Sequence, residues 1–291
     1  MRTILLSICL AISISGYSQN IIVNATSAPE TALNAEDLTR EVLIDGGACS
    51  DISNFIKKDN PQAQFPSANR SWGYFQKGSS NFPFESGIVM TSGRATDAKG
   101  PNGATSSYGS NGWLGENILN TISGNSTRNA TVFEFDFVPY GNEISFNYIF
   151  ASNEYEDDFG MGFECGIYND SFAFVISGPG IVNDIGIPGK NIALLPNGDP
   201  VTINNVNGTN DCGDDTYFVH INDGAPPINY NGRTTPLTAY SQVIPGQTYR
   251  IRLMIADVFD TQYDSAVFLE AGSFNLGSTF IDMNGTEIGE N

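Results

Sequence analysis

The sequence predicts an all-β protein, an antiparallel β-sandwich of jelly-roll type with one or two short helices. Three observations predict it. Apolar and polar residues alternate in repeated short runs, as where Phe133, Phe135 and Phe137 interleave with Glu134 and Asp136. Gly and Asn are plentiful, and helix formers dominate no long window. Strands do not alternate with helices in a βαβ rhythm, so an antiparallel arrangement is expected.

In order along the chain, residues 19–35 are polar and read as a loose leader. Residues 35–44 are the best helix candidate. Asn34 can cap them, Glu36 and Asp37 suit the first turn, Leu38, Val42 and Leu43 form a stripe, and Asp45-Gly46-Gly47 stops the helix. Residues 71–76 and 87–91 read as strands, 99–112 as an irregular Gly/Ser/Asn loop, and 113–122 as a second short helix. Residues 130–138 and 143–150 alternate cleanly around Pro139-Tyr140-Gly141-Asn142, which predicts a hairpin-like pair. Further strands are expected at 171–177, 201–203, 216–221, 248–255 and 265–271. A single domain over 36–277 is the preferred division, followed by a tail at 278–291 that reads as a linker.

The first 18 residues have the order of a secretory signal: basic Arg2, an apolar run from Ile4 to Ile14, then small residues at Gly16 and Ser18. The run is shorter than the roughly 20 residues a spanning helix needs. A secreted or cell-surface protein with no transmembrane segment after cleavage is expected. Cys9 leaves with the signal, and Cys49, Cys165 and Cys212 remain in an oxidising compartment. Cys165 and Cys212 both lie in Gly/Asp-rich loops and are the favoured disulfide, although sequence does not fix connectivity. The formal net charge of -19 argues against nucleic acid as a partner.

Acidic residues gather in three loops at strand ends: Asn153 to Asp158, Tyr168-Asn169-Asp170, and Asp257, Asp260 and Asp264. In a sandwich such loops can converge. Calcium takes roughly six to eight oxygens from carboxylates, amides and backbone carbonyls. Glu154, Asp157, Asn169, Asp170, Asp257 and Asp264 are therefore the candidate calcium ligands. The plainer alternative is that these residues decorate exposed turns; that suits Glu156 and Asp158 better than Asp170, which directly precedes an apolar strand. A glycoside hydrolase would need two carboxyls about 5–9 Å apart, and Glu154 with Asp170 or Asp257 are the only pairs worth weighing. A lectin-like module would use Trp72, Tyr74, Tyr108 or Trp113, though both Trp suit a core better. His220 sits between Val219 and Ile221, a structural setting, and no GxSxG elbow or phosphate loop is present. No catalytic residue is assigned.

Several separate motifs carry a family resemblance. They are Asn81-Phe82-Pro83-Phe84-Glu85-Ser86-Gly87-Ile88-Val89-Met90-Thr91-Ser92-Gly93, the run from Phe146 to Tyr155, and Tyr168-Asn169-Asp170-Ser171-Phe172-Ala173-Phe174 with Gly178-Pro179-Gly180. Ile255-Ala256-Asp257 and Asp264-Ser265-Ala266-Val267-Phe268-Leu269 complete them. Over about residues 36–275 the chain resembles the choice-of-anchor L domain. That resemblance implies an extracellular bacterial protein, of a kind common in Bacteroidota, with an adhesion or surface-structure role. Its partner would be an extracellular surface, a glycan or another protein. The resemblance supplies no catalytic residues.

Overall fold

A computed structural model describes residues 20–44, 52–103, 106–157, 160–209, 211–221 and 226–277, and two short strands beyond them. The signal segment 1–18, the helix stop at 45–47, Cys49, Asp158 and most of the tail lie outside the described residues. The strands are β1 (Ile22–Val23), β2 (Ile52–Lys58), β3 (Trp72–Gln76), β4 (Ser86–Thr91), β5 (Thr127–Phe137), β6 (Glu143–Ser152) and β7 (Ser171–Ser177). They continue as β8 (Lys190–Asn191), β9 (Phe218–His220), β10 (Gly232–Thr234), β11 (Leu237–Gln242), β12 (Tyr249–Val258) and β13 (Ser265–Glu270). A small separate pair, β14 (Phe280–Ile281) and β15 (Glu287–Ile288), follows.

One sheet runs β1-β3-β4-β13-β6-β10-β9, with β11 also paired to β6; the other runs β2-β5-β12-β7-β8. All strand pairings are antiparallel. The predicted sandwich is therefore present. The main core lies between the sheets and is built on the alternation read above: Phe133, Phe135 and Phe137 of β5 face Phe146, Tyr148 and Phe150 of β6. Phe174 lies 4.9 Å from Phe146 and 5.0 Å from Tyr148 between ring centroids, in edge-to-face geometry. On the opposite face of β5, Glu134 and Asp136 pair with Arg250 and Arg252 of β12.

Each sheet is also covered on its outer side. Phe75, Phe82, Val89, Ile149 and Phe268 form a second apolar cluster. Helix α2 (Asn117–Ser123) lays Ile118 and Leu119 on Ala130, Val175 and Met254 as a third. Close pairing of β4 with β13 demands a glycine at Gly87, where any Cβ would collide with the Leu269 carbonyl.

Several expectations need correction. β5 and β6 do not form a hairpin: they belong to different sheets, and residues 139–142 carry the chain across the core. Both strands bring Phe faces to the same interior, which places them opposite each other rather than side by side. The Tyr140 and Gly141 N–H groups donate to Leu276 O at 2.7 and 3.1 Å and anchor the crossing. The leader is packed rather than loose: Ile21 is fully buried, β1 pairs β3, and Ala28 joins the core. Residues 201–203 make only a bridge from Thr202 to Ser171. Helix α1 (Ala35–Leu38) starts under the Asn34 cap, whose Oδ1 accepts from the Asp37 N–H at 3.0 Å, and continues as a wider π-helical turn over Thr39–Leu43.

Phe174→Ala removes a ring that Phe146, Tyr148 and Phe172 all touch. Urea titration should show about 3–5 kcal/mol of lost stability; a loss under about 1 kcal/mol would mean that this interior repacks freely.

Candidate functional site

Strand register gathers the acidic loops at one end of the sandwich. Ser152 at the end of β6 pairs with Ser265 at the start of β13, Ser171 at the start of β7 pairs with Ala256, and Thr91 at the end of β4 pairs with Ala266. Glu154 follows β6, Asp170 precedes β7, and Asp264 precedes β13. Asp257 lies in β12, where the register against β5 slips after Ile255. These four carboxylates are at most 1% exposed.

Their hydrogen bonds link both sheets. Asp170 Oδ1 accepts from the Val258 N–H at 2.8 Å, and Oδ2 accepts from the Ser265 hydroxyl at 2.7 Å. Glu154 Oε2 accepts from the Asp170 N–H at 3.0 Å. Ser265 Oγ also lies 2.8 Å from Ser152 Oγ. Asp264 accepts from the Tyr108 N–H at 3.0 Å and 3.1 Å through its two oxygens, and its own N–H donates to Ser106 O. Gly93 leaves room for that carboxylate, since a Cβ there would strike it. Asp257 differs: neither of its oxygens meets a hydrogen-bond partner in good geometry, although the Ser92 hydroxyl close by partly eases its charge.

Burial pushes the Glu154, Asp170 and Asp257 carboxyls well above the ordinary carboxylate range. Repulsion adds to this: Asp170 acts on Glu154, and Asp170, Asp264 and Glu154 act on Asp257. The bonds from Ser265 and Val258 work in the opposite direction on Asp170. Asp264 is raised by burial to about 7, against the pull of the Tyr108 N–H and of Arg94.

Four of the six candidate ligands thus come together. Asp157 instead accepts from the Met161 N–H within its own loop, and Asn169 accepts from the Asn204 N–H. Among the described residues, no three carboxylate, thiol or imidazole groups already stand in the spacing of a metal centre. Asp257, with neither oxygen in a well-formed hydrogen bond, has the chemistry a hard cation would satisfy. Asp260 and Glu164 approach closely enough to repel Glu154. Sequence reasoning missed the Ser92, Ser152 and Ser265 hydroxyls; their only signal was position, each lying at a strand end beside an acidic loop.

The loops around the cluster are unusually constrained. Cys165 and Cys212 are joined, with Cα atoms 5.7 Å apart. Cys165, Phe259 and Tyr263 have positive φ angles of 62°, 80° and 60°. Phe163 packs on Tyr168 and Tyr263, and Tyr168 on Phe259. Of the expected sugar-stacking residues, Trp72, Tyr74 and Trp113 are buried, whereas Tyr108 is partly exposed. His220 is exposed, with Nε2 3.1 Å from Glu156 O.

Residues 24–275 match the choice-of-anchor L domain. The chain belongs to that family. No curated protein matches it. A choice-of-anchor L domain is a surface or secreted bacterial module, and no described helix here is long and apolar enough to cross a membrane.

The raised carboxyls set a pH dependence. The unfolded chain releases the Asp264 proton near 3.8, whereas the folded chain holds it to about 7. Between those values the folded state binds more protons, so stability is greatest at the acidic end and falls as pH rises. In chelator, the melting temperature should drop by roughly 5 °C from about pH 5 to about pH 7.5; a flat profile would show that these groups titrate as ordinary carboxyls.

Proposed function

We propose that this chain is an extracellular binding module of adhesion type whose strand-end loops are ordered by a divalent cation, with calcium the ion that suits its oxygen ligands. The observation that carries this reading is Asp257, a fully buried carboxylate eased only by the nearby Ser92 hydroxyl, with neither oxygen in a well-formed hydrogen bond, beside Asp170, Asp264 and Glu154. An isolated charge in such a place is costly unless a proton or a cation neutralises it. Loops outside the cell meet calcium at concentrations where extracellular modules bind it. Asp170, Asp257, Asp264 and Glu154 would hold the ion, drawing the loops inwards, and the ordered surface would meet a glycan, a protein or another cell surface. A binding role suits the site better than glycoside hydrolysis, because Glu154 and Asp170 are buried and Glu154 is engaged by the Asp170 backbone.

Calcium in hundredfold excess over its Kd should stabilise the protein by about 2.7 kcal/mol, a rise of roughly 5–10 °C in melting temperature over chelator, with magnesium giving less. Asp257→Asn should abolish the calcium response and leave the chelated protein at least as stable as wild type, since it removes the unpaired charge. A wild type indifferent to calcium, or an Asp257→Asn variant that responds as wild type does, would sink the reading.

A further inference from the structure

Beside the acidic cluster lies a pocket of about 480 Å³ with a different character. Its wall carries Arg94 and Lys99, two of only 13 Lys and Arg residues in a chain of net charge -19. Arg94 is held in place on two sides: its guanidinium carbon lies 4.5 Å from the centre of the Tyr108 ring, and its Nε donates to Asp97 at 2.8 Å. Asp97 occupies only the Nε edge, so both terminal nitrogens of the Arg94 fork remain for a planar anion. Lys99 is exposed and makes no ion pair among the described residues. Asp97, bound to Arg94, also lines it, and the remaining lining is the Tyr108 ring with the hydroxyl and amide groups of Thr96, Ser106, Ser107 and Asn229. Apart from the Tyr108 ring such a wall is mainly polar, which suits a polyhydroxylated ring better than an apolar peptide side chain.

We infer that this pocket binds a carboxylated sugar, a uronate residue of an acidic glycan. The carboxylate lies against the Arg94 fork and Lys99, and the ring hydroxyls meet the Ser, Thr and Asn side chains. The pocket is tied to the acidic cluster through one short segment. Asp264 accepts from the Tyr108 N–H through both oxygens and donates its own N–H to Ser106 O, so the segment that forms the pocket wall hangs from a candidate cation ligand. Cation loading therefore sharpens sugar affinity. That link rests on the proposed cation site; the pocket itself does not.

Calorimetric titration of the full mature chain with trigalacturonate, at fixed calcium and in chelator, tests this, with neutral galactotriose and triglutamate as controls. Trigalacturonate should bind, the controls should not, and Arg94→Gln and Lys99→Gln should each weaken binding by at least about tenfold. Both variants should keep the wild-type calcium shift in melting temperature, which separates a lost ligand contact from a damaged fold. Equal binding of galactotriose or triglutamate, no binding of trigalacturonate, or full affinity in both variants would overturn the inference. Trigalacturonate binding without any calcium shift would instead remove the cation reading and leave the pocket standing.

Discussion

Asp170 is the point at which the two sheets are tied together at the loop end. Its carboxylate takes one hydrogen bond from the β12 backbone at Val258 and one from Ser265 of β13, while its own N–H is held by Glu154 after β6. Four strands, drawn from both layers, are thereby fixed relative to one another by two buried carboxylates, Asp170 and Glu154. Such a network is strong only when all its members are satisfied. Asp257 is the member that is not, and the energetics of this end turn on what neutralises it.

The core beneath could not supply that connection by itself. Apolar packing between sheets is nondirectional, and the Phe-rich interior would tolerate small relative slides of the layers. Directional bonds to Asp170 at the loop end hold the layers against each other, and the bonds of residues 140–141 to Leu276 anchor the crossing between β5 and β6 at the other end. The molecule is thus pinned by polar contacts at its ends and filled by aromatic rings in between.

Much of this was legible in the sequence. The alternation in 130–138 and 143–150 placed the right faces inward, the Asn34 cap was readable, and the favoured Cys165–Cys212 pairing, one that sequence leaves open, is the one that forms. Pairing was less legible, because alternation says which face is buried and not which neighbour lies alongside; hence the mistaken hairpin. β2 was missed because it is an edge strand with exposed Ser53 and Asn54 and a register slip between Ser53 and Ile56. β11 was missed because its alternation is carried by small Ala239 and Ser241 rather than by large apolar residues. At the site, proximity in sequence to strand ends identified Glu154, Asp170, Asp257 and Asp264. It could not separate them from Asp157, which accepts from the Met161 N–H, or Asn169, which accepts from the Asn204 N–H. Arg94 carried no pattern, since its meaning comes from Tyr108 and Asp97 folding around it.

The disulfide has a mechanical consequence. It joins residues 47 apart, and the span it closes contains β7 and β8. If a surface protein of this kind is pulled by its two ends, tension entering at Cys165 leaves at Cys212 without passing through that span. Roughly 160 Å of contour length is withheld from extension. β7, at the centre of the aromatic core, is shielded from direct load, so the strand that carries Phe172 and Phe174 stays folded back within a tethered loop even when the strands outside it have been drawn out.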